Sequence, residues 1–217
     1  MLAFSRWSVN SSDICVRGGE TMQRDRGRGI DLANVRPIVR VVDHGLWSPN
    51  WSVHKFKEHR DRIFKAAHIE GLPIEYLLDN FELIQALGFR GNCLLNEGIN
   101  ALWTLAAGTG ETLFNNTNAY IGVGDDATAA VATQTGLIAA TNKKYNAMDM
   151  SYPTYGSSQK VTHRATFASG DANFHWQEIT VANGNSDASK NLNRKVQDMG
   201  TKAALTSWVA TQEVTLS

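Results

Sequence analysis

The sequence has few cysteines, no excess charge of either sign and no long apolar run. It has 2 cysteines in 217 residues. Cys15 and Cys93 lack a second Cys or a His at metal-ligand spacing, so both are predicted to be idle or buried thiols. Without an 18-residue apolar run or a signal-peptide core, neither a membrane span nor a secretion route is indicated. The expectation is synthesis in the cytoplasm.

The charge is balanced, with 21 Lys and Arg against 21 Asp and Glu. A net charge of zero gives no electrostatic reason to expect nucleic acid or an anionic membrane as a partner. The hydrophobic share of 42% is ordinary for a globular protein. At this length the chain can form one good core or two small ones.

Residues 1–50 show no sustained hydrophobic period, and their arginines alternate with glycines. Such a stretch buries too little apolar area to offset the cost of ordering it. It is predicted to be an extended basic N-terminal arm that reaches neighbouring subunits. Its candidate partner-binding residues are Trp7, Arg24, Arg26, Arg28 and Trp47, with Trp51 directly after it.

Residues 51–90 are predicted to form a short helical hairpin. Phe56, Ile63, Phe64 and Ala67 fall on one face of a first helix. A second helix is predicted to begin at Pro73, to place Leu77, Phe81 and Ile84 on one stripe, and to end at Gly88.

Residues 91–217 are predicted to form a β-sandwich domain with one short leading helix. The helix is signalled by Asn96, followed by Ile99, Leu102, Trp103 and Ala106 at helical spacing and by Gly108 as a stop. From Ala119 onward the period becomes two, as in Val161–Phe167 and Trp208–Leu216, and each such strand is predicted to have one buried face. The fold class is therefore mainly β, an antiparallel β-sandwich of jelly-roll or Ig-like type.

No catalytic or cofactor motif stands out. Gly122–Ala127 formally fits a glycine-rich phosphate-binding pattern. The carboxylates of Asp125 and Asp126 would then face the negatively charged phosphates, which argues against phosphate binding. A solvated turn is therefore favoured over a phosphate site or a calcium site. The six histidines include no zinc-protease pair, and no nucleophile elbow is present. His163 and His175 are expected to be structural. The chain is therefore predicted not to be an enzyme and to need no cofactor or metal.

One aromatic cluster is a candidate recognition surface. Tyr145, Tyr152 and Tyr155 surround Pro153 and Gly156. Exposed tyrosines are typical of binding surfaces. A loop folded over its own sandwich edge explains the same residues equally well.

Several runs resemble a family of tailed-bacteriophage virion proteins. They cover about residues 91–217 and are Gly91–Asn100, Asn118–Asp125, Tyr152–Gly156, Asp171–Phe174 with Trp176 and Glu178, and Asn191–Val196 before Gly200-Thr201. The resemblance implies a capsid cement or decoration protein that binds and stabilises the major capsid protein lattice, located on the capsid surface of the virion. A homo-oligomer, dimer or trimer, is expected. A tail or fibre-associated receptor-binding protein and a carbohydrate-binding β-sandwich module remain the alternatives.

Overall fold

Residues 47–57 and 72–217 are described by a computed structural model, which is mainly β. Sheet 1 contains β1 (Trp47–Lys57), β2 (Leu83–Arg90), β6 (Thr154–Ser157), β7 (Lys160–Phe167) and β10 (Thr206–Leu216). Sheet 2 contains β3 (Cys93–Leu94), β4 (Tyr120–Gly124), β5 (Lys143–Ala147), β8 (His175–Ala182) and β9 (Asn193–Thr201). Two helices are described, α1 (Ile74–Asn80) and α2 (Asn96–Ala107).

Both sheets have five strands, and every described strand pair is antiparallel. The order is β2-β1-β10-β7-β6 in sheet 1 and β3-β9-β8-β4-β5 in sheet 2. One core cluster takes side chains from both sheets. The predicted antiparallel sandwich-like architecture is thereby confirmed.

Three aromatic side chains connect the two sheets. Trp176 of β8 packs edge-on against Phe167 and against Trp208, each at a ring-centroid distance of 4.7 Å. Its indole donates to the Ala172 carbonyl at 2.9 Å, so its one polar group is satisfied inside the core. Edge-to-face packing of this kind adds about 0.5–1.5 kcal/mol per pair beyond area burial. These contacts fix how the sheets stack.

A row of polar side chains also points into the core. Trp51 pairs with Gln212 and Gln212 with His163 on three adjacent strands, so all three face inward. All are buried, and Trp51 Nε1, both Gln212 amide atoms and His163 Nδ1 have no hydrogen-bond partner among the described residues. Burial lowers the pKa of His163 to about 4. This row therefore holds a neutral imidazole inside the sandwich.

Lys55 of β1 also faces inward and connects the sheets at one end of the core. Its Nζ donates to the Met199 carbonyl at 2.5 Å and to Gln85 Oε1 at 2.7 Å. It lies 4.2 Å from the centre of the Trp208 ring. Burial lowers the pKa of Lys55, and the charge of Asp198 opposes that shift.

The helix predicted at Asn96 is confirmed, with Gly108 at its C-cap. It lies against sheet 2 through Gly98, where an added Cβ would come within 2.5 Å of the Leu192 backbone. A glycine is required at this contact because any larger residue would push the helix away from the Asn191–Leu192 backbone, directly before β9. Trp103, one of the four residues at helical spacing, is exposed.

The helical hairpin predicted for residues 51–90 is wrong where the structure describes it. Phe56 lies in β1 and Ile84 in β2. Among the described residues of this range only Ile74–Asn80 is helical; it begins one residue after the predicted start at Pro73 and ends well before the predicted stop at Gly88. Leu77 packs on Phe56 and Val209. Leu77, Phe81 and Ile84 have helical spacing because the short helix is followed almost directly by a strand. Ile63, Phe64 and Ala67 lie outside the described residues.

Two further expectations need correction. Residues 47–50, assigned to the arm, begin β1 and pair with β10, so the sandwich includes residues well before 91. The idle thiol predicted at Cys93 is wrong, since this cysteine is disulfide-bonded. Residues 1–46, which include Cys15, lie outside the described ranges.

We predict that His163 makes the protein less stable below neutral pH. The unfolded chain takes up a proton near pH 6.5, while the folded protein resists doing so until about pH 4. Unfolding is therefore favoured progressively as the pH falls through this window, by a total on the order of 3 kcal/mol. Urea unfolding followed by circular dichroism at several pH values measures this slope.

The substitution His163→Gln should flatten that slope, whatever it does to stability at pH 7. His175→Gln is the matched control, because His175 is partly exposed on β8, and it should leave the slope intact. An unchanged slope in His163→Gln would assign the acid sensitivity to other groups.

Candidate functional site

A polar groove lies on the outer face of sheet 1. Its floor is formed by outward side chains of β1, β10 and β7, its walls by the start of α1 and by residues 151–157, and its volume is about 680 Å³. The alternation of each strand puts Ser52, His54 and Thr211 on this face and the apolar residues in the core. This is the candidate functional site.

A buried ion pair forms one end of the groove. Arg164 Nε donates to Asp149 Oδ2 at 2.6 Å, and the two side chains are 1% and 2% exposed. Arg164 Nη1 also donates to the Leu72 carbonyl at 2.6 Å, and Thr166 Oγ1 donates to Asp149 Oδ2 at 3.0 Å. Hydrogen bonds of this kind offset the cost of taking two charges out of water. The pair thus connects β7, the loop after β5 and the segment before α1.

Tyr152 completes this end of the site. Its ring centre lies 4.6 Å from the Arg164 guanidinium, and its hydroxyl accepts from Arg164 Nη1 at 3.4 Å. Asn116 Nδ2 donates to the Tyr152 carbonyl at 2.6 Å and to the Asp149 carbonyl at 2.9 Å. The aromatic wall of the groove is therefore held from two sides.

The charges of the groove are largely neutralised within it. Arg164 is paired with Asp149, and Lys160 Nζ lies 2.8 Å from Glu213 Oε1. Burial lowers the pKa of His54, whose Nδ1 has no partner among the described residues. Hydroxyls, an amide and a tyrosine ring dominate what remains. Such a lining suits an uncharged polar ligand better than an anion.

The predicted tyrosine cluster is split by the fold. Tyr152 lines the groove, and Tyr155 on β6 is 76% exposed. Tyr145 lies on the outer face of sheet 2, where its ring contacts Gly122 and its hydroxyl donates to Asp187 Oδ1 at 3.2 Å. Burial, first among several causes, raises the pKa of Tyr145. Tyr145 is therefore a packing residue.

Of the residues predicted to bind a partner through the arm, the structure describes Trp47 and Trp51. Trp51 is 2% exposed and stacks with Phe89, so its indole is not available to a partner in this fold. Trp47 is half-buried and donates from Nε1 to Asn92 Oδ1 at 3.3 Å. Trp7, Arg24, Arg26 and Arg28 lie outside the described residues.

A second buried ion pair, missed from the sequence, lies on the outer face of sheet 2. Arg194 Nε donates to Glu178 Oε2 at 2.5 Å, and both side chains are fully buried. The backbone amides of Ile138 and Ala139 donate to the same carboxylate at 3.2 and 2.8 Å. An added Cβ at Gly124 would collide with Glu178 Oε1. The pair holds the long β4–β5 connection over the sheet.

Asp125 and Asp126 belong to that connection and are engaged within the chain. Asp125 Oδ2 accepts from Asn142 Nδ2 at 2.7 Å, and Asp126 Oδ1 accepts from the Thr128 amide at 2.7 Å. That amide hydrogen bond is the main reason the pKa of Asp126 is lowered. These contacts match the predicted turn.

Other kinds of site are not found in the described part of the chain. Among residues 47–57 and 72–217 no group of three or more His, Cys, Asp or Glu side chains is arranged to hold a metal ion. Neither described helix has the length and apolar character needed to cross a membrane. No family model, no curated protein and no solved structure matches the chain. The described residues thus define a sandwich-like β protein with a polar groove.

We predict that breaking the Arg164–Asp149 pair is costly. Asp149→Ala leaves a buried guanidinium without its counter-charge, which should lower the free energy of unfolding by about 3–5 kcal/mol. Urea unfolding at neutral pH measures the change.

Glu213→Gln is the control, since the Lys160–Glu213 pair is 40% and 44% exposed. Removing a pair of that exposure should change stability by about 0–1 kcal/mol. If both substitutions lower the free energy of unfolding by the same amount, the buried pair contributes no more to stability than the exposed pair.

Proposed function

We propose that this protein is a non-enzymatic structural protein of a tailed-phage virion, a capsid cement or decoration protein that docks on the major capsid protein lattice. It acts through surface contacts, without a cofactor and without nucleic acid or membrane as partner. The observation that carries the proposal is the exposed Tyr155, presented beside the groove on a segment that is held in place from below.

The rigidity of that segment supports a docking role. Asn116 and Arg164 both bind Tyr152, three residues before Tyr155. A segment whose backbone is anchored before binding loses less freedom on binding, so more of the contact energy appears as affinity. Tyrosine is also one of the residue types enriched at the energetic centres of interfaces.

The runs that carry the resemblance support a shared scaffold. Gly98 contacts Leu192, Gly124 contacts Glu178, and Trp176 forms the centre of the core. These positions determine how strands and loops pack, which explains why the runs have no chemical motif. A common sandwich is what a family of decoration proteins would share.

The proposal extends to the type of sandwich, which we take to be a jelly roll or an Ig-like sandwich. The hairpins β4–β5, β6–β7 and β8–β9 alternate between sheet 2 and sheet 1, and β10 returns to sheet 1 between β1 and β7. Chain crossings between two antiparallel sheets occur in both types.

Binding to a lattice suits modest contacts. Many identical copies on a symmetric shell multiply a weak single contact, and a second attachment raises the effective concentration of the first. In the proposal the arm of residues 1–50, with Trp7 and its arginines, supplies that second attachment. Because residues 47–50 belong to β1, the part that acts as a tether ends at residue 46.

We predict that Tyr155→Ala weakens binding of the full chain to mature capsids about tenfold, as expected for loss of an exposed anchor worth roughly 1.4 kcal/mol. Co-sedimentation with purified capsids at increasing protein concentration measures the affinity. Deleting residues 1–46 should weaken binding further.

Tyr76→Ala is the matched control, because Tyr76 is also exposed but lies on α1. It should bind as the unchanged protein does. If the unchanged protein fails to bind capsids, or immunogold label is confined to the tail tip, decoration is excluded. Copy number per virion gives an independent reading, since a shell needs hundreds of copies and a tail only about a dozen.

A second candidate function is carbohydrate binding, which the groove favours. A tyrosine ring beside hydroxyl and amide groups, with Arg164, Lys160 and Glu213 in ion pairs, is suited to a neutral saccharide. Trp176 is fully buried in the core and is not accessible to a sugar. Tyr152 is therefore the ring that a sugar would contact.

If this second function holds, the chain should bind a neutral polysaccharide with a dissociation constant of roughly millimolar order. Thr211→Arg should abolish binding by filling the groove floor, and Tyr152→Ala should weaken it. Thr117→Arg places the same side chain on an exposed loop and is the control. Isothermal titration calorimetry against a panel of polysaccharides measures binding. If none of them gives a heat of binding, the carbohydrate-binding function is rejected.

A further inference from the structure

The four edge strands of the two sheets differ in how they are protected. The edges are β2 and β6 in sheet 1 and β3 and β5 in sheet 2. An exposed edge offers unpaired backbone groups to any other strand, and proteins protect edges with charge, shortness or irregularity. Three of these edges have such protection.

The protected edges are β3, β6 and β5. β3 is 2 residues long, and β6 is 4 residues long with a register shift between Thr154 and Ser157. β5 begins with Lys143 and Lys144, whose charges oppose the approach of an apolar strand.

β2 is different. It has 8 residues, and from Leu83 to Phe89 it contains no charged side chain and no proline. Six of its eight residues are exposed, including Leu83 at 40% and Ile84 at 53%. Among the described residues it pairs only with β1. β2 is thus a long edge that is uncharged up to Phe89 and has exposed apolar side chains.

The hydrogen bonds show which backbone groups face outward. The Gly91 amide donates to the Pro49 carbonyl at 3.0 Å, next to the Arg90–Asn50 pair. Because hydrogen-bonded and non-hydrogen-bonded pairs alternate in an antiparallel ladder, Phe89 and Leu87 bond to β1, whereas Arg90, Gly88 and Ala86 direct their N–H and C=O groups away from it.

The outward positions are sterically open. Gly88 has no atom within 4 Å of where a Cβ would lie, and Ala86 is exposed. The register shift opposite Lys55 and Phe56 leaves Gln85–Arg90 as the regular part of the strand. Small residues at the outward positions let a second backbone approach to the normal spacing of a sheet, about 4.8 Å.

We propose that this edge is the interface between two copies of the chain. Two β2 strands pair antiparallel about a two-fold axis at Leu87, with Ala86 of each copy opposite Gly88 of the other. Sheet 1 then continues through the axis as one ten-stranded sheet.

A second copy fits this edge for reasons of charge and symmetry. The charged side chain within β2 is Arg90, and antiparallel pairing places the two Arg90 residues at opposite ends of the ribbon, so they do not repel. A two-fold contact also covers both apolar edges at once, because the same surface serves each copy. Apart from Arg90 at its end, the strand has no charged side chain that would select a partner of opposite charge. The inference is independent of the proposed function.

The test is the mass of the full chain in solution. Light scattering after size exclusion should give twice the chain mass of 23.8 kDa, with dissociation on dilution. Ala86→Lys should weaken the dimer roughly tenfold or more, because it places two like charges across the two-fold axis. Hydrogen exchange should show Ala86 and Gly88 amides that lose protection in step with dissociation.

Ala140→Lys is the matched control, since Ala140 is an exposed alanine away from β2, and it should remain a dimer. Circular dichroism checks that Ala86→Lys is folded. A monomeric unchanged protein would overturn the proposal. So would a dimer that Ala86→Lys leaves intact, because its interface would then lie elsewhere.

Discussion

Two buried arginine–carboxylate pairs, one on the outer side of each sheet, determine which segments cover the sandwich. Arg164–Asp149 holds the loop after β5 and the segment before α1, and Arg194–Glu178 holds the β4–β5 connection. A buried ion pair adds little net stability over a well-packed apolar pair, but losing one partner is costly. Each pair therefore acts as a constraint on geometry.

The groove is a consequence of the first constraint. Arg164 fixes Tyr152 through its ring and hydroxyl, and Tyr152 forms the wall opposite α1. Tyr155 lies three residues further along the chain and is exposed at the surface. Docking onto a capsid and binding of a neutral saccharide would use neighbouring parts of one rigid surface, whereas the β2 edge lies on the far side of β1 and leaves that surface free for a partner.

The burial of charged residues explains where sequence reasoning failed. In β7, Thr162, Arg164 and Thr166 alternate with apolar residues and were expected to face water, yet both faces of the strand are buried. Lys55 likewise points into the core beside Trp208. The alternation of side chains along a strand shows which face of the sheet a residue lies on. It does not show whether a loop from a distant part of the sequence covers that face. An arginine in the middle of a strand, such as Arg164 in β7, was the available signal.

The sequence by itself determined the β-rich half, helix α2 with its stop at Gly108, and the turn at Asp125 and Asp126, because period, capping and turn chemistry are local properties. Only the tertiary structure decided that residues 47–57 and 83–90 are strands, since they pair with β10 and with each other over long sequence separations. It also decided that Trp51 is core and that Tyr145 and Tyr155 lie apart. Contacts between distant segments outweigh weak local preferences, and no spacing along the chain encodes them.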